Sequence, residues 1–266
     1  MTPLENFVIV FTAGLVTALA TGLGAVPLFF FRDISDRLVA SMWGFAGGIM
    51  LSASVFGLIL EGLKLGTFPE VGTGLALGAL LVAVADRVIH DYEFKPREIA
   101  EADFKKMMLI LGVLTVHSFP EGVAIGVSFA EIGVAGVESV PVLGLTVPLL
   151  AVFMTLAISI QNIPEGLAVS IPMNTFGYSK RRMVGAAVFS SLPQPIGAVL
   201  AFYFVVLAKQ LLPLGFGFAA GAMFFLVFDE MVPEALERNG RGARGVWEIA
   251  LATLAGFLII VPLLFL

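Results

Sequence analysis

The sequence has no cysteine, only two histidines and few charged residues. The missing cysteines exclude disulfides, thiolate metal sites and iron–sulfur clusters. The two histidines, His90 and His117, lie too far apart to form the His-Glu-x-x-His helix of a zinc hydrolase. Charged residues make up 13% of the chain, against about 25% in a soluble domain. This shortage of charge predicts that most of the chain lies in a lipid bilayer.

Apolar residues dominate the rest of the composition. They account for 59% of the sequence, and the mean hydropathy is +1.01. This composition is typical of a multi-pass membrane protein, and nothing in it indicates nucleic-acid binding. No basic residue precedes the first apolar run, so we expect that run to be a retained span rather than a cleaved signal peptide.

Eight apolar runs reach the length of about 20 residues that a helix needs to cross the hydrocarbon layer. Their connections are short, except for a polar loop at residues 90–106. We therefore predict an all-α membrane protein with one integral membrane domain, residues 1–266. The predicted spans are about 6–29, 39–63, 70–89, 107–130, 141–173, 182–208, 211–232 and 246–266.

Lysine and arginine are divided unequally between the two sides that these spans define. Thirteen of the 15 fall in the loops of one side, whereas the other side has only Lys64 and Lys209. Basic residues are enriched in cytoplasmic loops, so the basic side is predicted to be cytoplasmic. With eight spans, both termini then lie on the extracytoplasmic side.

A six-residue element occurs twice inside apolar runs. Residues 117–122 read His-Ser-Phe-Pro-Glu-Gly, and residues 161–166 read Gln-Asn-Ile-Pro-Glu-Gly. In each copy the first residue and the Glu are four positions apart, so they share one helix face. An acidic group near the bilayer centre costs about 2.5–3.5 kcal/mol. A shared internal site explains two such groups better than contact with lipid does.

The donor types in this element indicate a transition-metal ion. Glu121 and Glu165 together balance one divalent cation, and imidazole beside carboxylate suits zinc, iron, manganese and similar ions. Pro120 and Pro164 each free the carbonyl four residues earlier, which a membrane tolerates where the backbone lines a cavity. The repeat therefore predicts two halves of one metal site.

Five further residues have two readings each. Met50 is either a soft ligand or a packing residue, and Gln194, which lies between two prolines, is either a site residue or part of a helix bend. Glu230 and Glu234 form either a solvated helix end or a carboxylate relay for a leaving cation. Glu61, near the outer end of span two, either attracts cations or marks the membrane interface.

The doubled element resembles the signatures of the ZIP (Zrt/Irt-like) family of divalent-metal transporters. The resemblance also includes the eight-span layout, the outward termini, the segment Gly44–Met50 of span two and the segment Asp229–Glu234 of span seven. It covers effectively the whole chain. The loop at residues 90–106 lacks the histidine-rich tract that many members of the family carry there.

The resemblance implies a ligand set for the transported ion. The residues at the family's primary site are Met50, His117, Glu121, Gln161 and Glu165. Some members bind a second, adjacent ion, and the matching positions here are Ser118, Asn162 and Gln194. None of these three adds a carboxylate, so we expect one strong metal site with at most a degenerate second one.

The resemblance also implies a function and a mechanism. We expect import of Zn²⁺, or of iron, manganese, cobalt or cadmium, into the cytoplasm, with the ion as substrate and no catalytic cofactor. Spans one, four, five and six are expected to move as a block against the other four, in an elevator-like exchange of access. A homodimer in the cell (plasma) membrane is typical of the family.

Two other classes of function compete with metal transport. A proton- or cation-coupled carrier of an organic solute could use the glutamates as protonation sites, but it leaves the pairing of His117 with Gln161 unexplained. An intramembrane metallohydrolase would need a second nearby histidine, which the chain lacks. Metal transport is therefore the leading hypothesis, and we expect the protein not to be an enzyme.

Overall fold

The computed structural model of the chain describes residues 2–31, 34–90, 117–134, 136–142 and 144–261. Most of these residues are helical. The helices are α1 (Pro3–Leu23), α2 (Asp36–Ser52), α3 (Leu60–Leu65), α4 (Phe68–His90), α5 (117–128), α6 (Leu149–Thr175), α7 (Lys180–Ser190), α8 (Pro193–Leu207), α9 (Leu212–Leu226), α10 (Val232–Asn239) and α11 (Ala243–Ile260). A π-helical segment, Ala53–Ile59, joins α2 to α3, and another, Val227–Met231, joins α9 to α10. The described residues also include two short 3-10 turns, Val26–Phe29 and Lys209–Leu211.

Seven helical units in the described part of the chain are long and apolar enough to cross a membrane. They are Pro3–Phe29, Asp36–Leu65, Phe68–Val88, Leu149–Thr175, Lys180–Leu207, Lys209–Asn239 and Ala243–Ile260. Each corresponds to one predicted span. The remaining predicted span covers residues 107–130. Its first part, residues 107–116, lies outside the described residues, and residues 117–128 are helical. The prediction of a mostly helical, multi-pass membrane protein is confirmed.

The first helix begins at a capping box. The Thr2 hydroxyl accepts a hydrogen bond from the Glu5 amide (3.2 Å), and the Glu5 carboxylate accepts one from the Thr2 amide (2.7 Å). Pro3 takes the first helical position, where its missing N–H costs nothing. The start of α1 is therefore well determined by local sequence.

The predicted fifth span, residues 141–173, begins too early. Strand β1 (Ser139–Val142) pairs antiparallel with strand β2 (Leu145–Pro148), and α6 begins only at Leu149. Gly144 takes a positive φ of 82° in the turn between the strands. The prediction of a membrane helix over residues 141–148 is wrong, because an apolar strand and an apolar helix give the same hydropathy signal.

The sixth span is a broken helix. Helix α7 ends at Ser190 and α8 begins at Pro193, which has no N–H and suits the first helical position. At this break the Thr21 hydroxyl of α1 donates to the Ser191 hydroxyl (2.7 Å). A neighbouring helix thus supplies polar contacts where the sixth span is interrupted, as a membrane interior requires.

The helices form two groups. In the first helix group, which comprises α1 and α5–α8, α1 packs against α6, α7 and α8. In the second helix group, which comprises α2–α4 and α9–α11, α2 packs against α10 and α11, and α4 packs against α9. The Arg37 guanidinium fastens the start of α2 to Glu248 of α11 (2.6 Å). Across the boundary between the groups, α2 packs against α6.

Candidate metal centre

Helices α5 and α6 bring the two copies of the repeated element together. His117 and Glu121 lie on α5, Gln161 and Glu165 lie on α6, and all four side chains are buried. Glu121 and Glu165 lie close enough for their charges to interact, and Gln161 of the second copy is hydrogen-bonded to Glu121 of the first. The side chains that the four-residue spacing placed on one face of each helix therefore meet at a common point inside the bundle.

Only the nitrogen of the Gln161 side-chain amide has a hydrogen-bond partner among the described residues. Its Nε2 donates to Oε1 of Glu121 (2.9 Å), while its buried Oε1 has no hydrogen-bond partner among the described residues. A buried amide oxygen without a partner is costly. A cation bound beside Glu121 would be within reach of coordination by this oxygen.

His117 contacts a residue of the second helix group. Its Nδ1 lies 2.6 Å from Oε2 of Glu230, which belongs to the π-helical segment between α9 and α10. Glu230 is also close enough to Glu165 for their charges to interact. The sequence suggested a possible exit relay for Glu230, but its direct contact with His117 had no sequence signal. The pair spans the boundary between the two helix groups.

Met50 lies near the end of α2 and is fully buried. Helix α2 packs against α6, which carries Gln161 and Glu165, and Met50 lies three residues before the π-helical segment Ala53–Ile59. The Met50 carbonyl accepts a hydrogen bond from the Ser54 hydroxyl (2.7 Å). This placement is compatible with a thioether ligand, and the role of Met50 stays a prediction.

The three predicted second-site positions are all buried. Asn162 Nδ2 donates to Oε1 of Gln194 (3.0 Å), and Gln194 Nε2 donates to Oε2 of Glu121 (2.5 Å). Ser118 follows His117 on α5 and also has an interaction partner. Because Asn162 and Gln194 are neutral amides, this side of Glu121 gains hydrogen-bond donors but no further negative charge.

Gly122 and Gly166, the last residues of the two motif copies, are helix crossing points. A Cβ at Gly122 would collide with the Gln194 carbonyl of α8, and one at Gly166 would collide with the Thr21 carbonyl of α1. Neither Gly122 nor Gly166 has room for a side chain. Their close backbone contacts fix α5 against α8 and α6 against α1.

Two of the predicted relay residues lie elsewhere. Glu234 pairs with Arg238 (2.6 Å), four residues further along α10. Glu61 pairs with Lys64 (2.5 Å). Close to Glu61 and Lys64, the pKa of Glu131 is raised. Burial is the main cause of the rise, the charge of Glu61 adds to it, and the charge of Lys64 opposes it. An entrance or exit role for Glu61 and Glu234 stays a prediction.

The side chains of the candidate centre are engaged with one another. Among the described residues, no three histidine, cysteine or acidic side chains stand ready as a metal-binding group. His117 is instead paired with Glu230, and both oxygens of Glu121 accept hydrogen bonds. These side chains would therefore have to give up existing hydrogen bonds in order to coordinate a cation.

A carboxylate centre enclosed by membrane-spanning helices defines an integral membrane protein with a polar site in its interior. A family model described as ZIP zinc transporter matches residues 95–263. The zinc transporter GufA of Myxococcus xanthus is 32% identical over 238 residues, a match that covers 84% of this chain and 88% of that protein. The zinc transporter ZIPB of Bordetella bronchiseptica is 36% identical over 234 residues, with 83% and 70% covered.

A longer protein of Arabidopsis thaliana that carries a zinc-transporter name is 41% identical over 237 residues. The match covers 88% of this chain but 36% of that protein, so the chain spans about a third of its length. The chain belongs to the ZIP zinc transporter family. Because this is a family of transporters, the expectation that the protein is not an enzyme is confirmed.

Proposed function

We propose that the protein carries divalent transition-metal ions, with zinc as the main substrate, across a membrane into the cytoplasm. The hydrogen bond that joins the two motif copies inside the bundle, from Gln161 Nε2 to Oε1 of Glu121 (2.9 Å), carries this proposal. Two neighbouring carboxylates buried among apolar helices need a compensating positive charge, and His117 and Gln161 beside them supply ligand atoms that zinc accepts. The names of the bacterial relatives support zinc as the substrate.

The proposed ligands are Met50, His117, Glu121, Gln161 and Glu165. The partnerless Gln161 oxygen supports a ligand role for that side chain. Two carboxylates neutralise one divalent ion, and the residues at the neighbouring positions, Ser118, Asn162 and Gln194, are uncharged. A second ion at these three positions would bring two positive charges that their uncharged side chains do not balance. We therefore propose that one ion binds strongly.

Eight spans with both termini on the extracytoplasmic side remain our proposal for the topology, with residues 1–266 as one domain. The seven described membrane-length helices and the 13-to-2 division of basic residues support it. The apolar side chains exposed on α4, among them Leu77, Leu80 and Leu81, suit contact with lipid. The homodimer and the plasma membrane as its location stay predictions.

The packing of glycines supports an elevator-like movement of the first helix group against the second. Within each group, a Cβ on a glycine would meet a backbone carbonyl of the neighbouring helix. Such pairs are Gly126 with Ala198, Gly166 with Thr21, Gly48 with Thr253, and Gly217 with Val71. Across the boundary, the atoms nearest to Gly57 are side-chain atoms of Phe153 and Met154. Interlocked backbones resist sliding, whereas a side-chain interface permits shear between packed helices.

Uptake by purified protein in proteoliposomes tests the proposal. Glu121→Ala and Glu165→Ala should each reduce zinc uptake to the background level, because each removes half of the negative charge that balances the ion. Glu138→Ala is the matched control, since it removes a carboxylate that is exposed beyond the helices, and its uptake should equal that of the unchanged protein. Near-normal uptake by both site variants would rule out this site.

A further inference from the structure

Both oxygens of Glu121 are held by side-chain amides. Gln161 Nε2 donates to Oε1 (2.9 Å) and Gln194 Nε2 donates to Oε2 (2.5 Å), and Glu121 as a residue is only 1% exposed. These two donors come from different helices, α6 and α8. Together they determine the plane in which the carboxylate lies.

The orientation of the Gln194 amide is determined by a longer chain of hydrogen bonds. Asn162 Nδ2 donates both to the Thr17 carbonyl of α1 (2.8 Å) and to Oε1 of Gln194 (3.0 Å). A backbone carbonyl can only accept, so Asn162 must present its NH₂ group here. Gln194 must then present its oxygen to Asn162 and its NH₂ group to Glu121. We call this connection, Thr17–Asn162–Gln194–Glu121, the amide relay.

The break in the sixth span gives Gln194 its position. Gln194 is the second residue of α8, and a continuous helix through residues 191–193 would direct its side chain differently. The Thr21–Ser191 hydrogen bond holds the break against α1, and the glycine contact at Gly122 holds α5 against the Gln194 backbone. The relay is thus built on elements of the first helix group alone.

We propose that Asn162 and Gln194 are positioning residues of the transport site, which orient Glu121 toward the cation through the amide relay. The inference rests on the proposed function, because Glu121 is a proposed ligand there. The side-chain amides of Gln161 and Gln194 stabilise the Glu121 carboxylate without adding charge. The two proposed carboxylate ligands therefore still balance one divalent ion. A preoriented ligand also loses less freedom when the ion binds.

The relay predicts a loss of metal affinity when its donors are removed. Gln194→Met keeps the size of the side chain and removes the donor to Glu121. We expect the zinc Kd, measured by calorimetry on detergent-purified protein, to rise roughly tenfold to a hundredfold, as is typical when the partner of a ligand is lost. In proteoliposomes KM should rise in the same proportion, while the rate at saturating zinc stays within about twofold.

A double variant separates positioning from general packing. Asn162→Leu should also weaken zinc binding, and the double variant Asn162→Leu/Gln194→Met should bind no more weakly than Gln194→Met alone, because Asn162 acts through Gln194. Two effects that multiply would overturn the relay. Asn162→Leu also provides an independent measurement if the Gln194 variant does not fold.

The control is Ser128→Ala, which removes another buried hydrogen bond of the first helix group, from the Ser128 hydroxyl to the Ile125 carbonyl (2.6 Å), and touches no member of the relay. Its zinc Kd should match that of the unchanged protein, and a loss of affinity as large as that of Gln194→Met would overturn the relay in favour of general packing within the first helix group. An unchanged Kd for Gln194→Met, with Glu121→Ala inactive, would reject the relay alone. Zinc binding by Glu121→Ala equal to that of the unchanged protein would instead reject the proposed function.

Discussion

Replacement of Gly166 by alanine should destabilise the first helix group. The new methyl group would collide with the Thr21 carbonyl, and the other nearest atoms are the Thr21 carbonyl carbon and a methyl group of the same residue. Overpacking costs about 1–3 kcal/mol, and we expect the upper end because a backbone carbonyl cannot rotate away. The gain of about 1 kcal/mol from replacing Gly by Ala in a helix offsets part of this. The net loss of unfolding free energy should be about 2 kcal/mol.

Gly185→Ala is the matched control. Gly185 also lies inside a helix of the first group, α7, but no atom lies within 4 Å of the position that its Cβ would take. Only the propensity gain of about 1 kcal/mol applies there. The two variants should therefore differ by about 3 kcal/mol, with opposite signs relative to the unchanged protein.

Thermal unfolding in detergent, followed by the loss of monodisperse protein, measures both effects without metal. The collision should also separate α1 from α6 and so stretch the hydrogen bond from Asn162 to the Thr17 carbonyl (2.8 Å). We therefore expect Gly166→Ala to weaken zinc binding as well. A Gly166→Ala protein that melts at or above the temperature of Gly185→Ala would refute the reasoning about backbone contact.

Two further predictions concern the ion itself. Crystals soaked in zinc or cadmium should give one dominant anomalous peak beside Glu121 and Glu165, because the neighbouring positions add no carboxylate; two equally occupied peaks a few ångströms apart would contradict a single strong site. Met50→Ala should reduce cadmium uptake more than zinc uptake, because a thioether favours the softer ion, and an unchanged ratio in a competition assay would argue against Met50 as a ligand.

The core of the candidate site could be predicted because its residues follow local rules. A spacing of four puts His117 with Glu121, and Gln161 with Glu165, on one helix face. The cost of a buried carboxylate in a membrane then requires the two faces to meet. Both arguments need only the sequence, and the hydrogen bond between Gln161 of α6 and Glu121 of α5 agrees with them.

The partners of these residues could not be predicted by the same rules. The acceptor of Asn162 is the Thr17 carbonyl, and a backbone carbonyl has no sequence signature. Glu230 and Glu234 are four residues apart, which would put them on one face of a regular helix, but a π-helical segment ends at Met231, between them. The wider π turn changes the helical phase, so Glu230 contacts His117 whereas Glu234 contacts Arg238.

Helix irregularities occur on each of the five spans that carry residues of the candidate site. Prolines precede Glu121 and Glu165, the break in span six precedes Gln194, and π-helical segments follow Met50 and contain Glu230. A regular helix satisfies all of its own backbone groups and leaves none for a polar centre, whereas an irregular turn redirects side chains and frees carbonyls. Such turns are stable in a membrane only where polar neighbours occupy the freed groups. The irregular turns and the buried carboxylates therefore depend on each other, and this explains why they occur together.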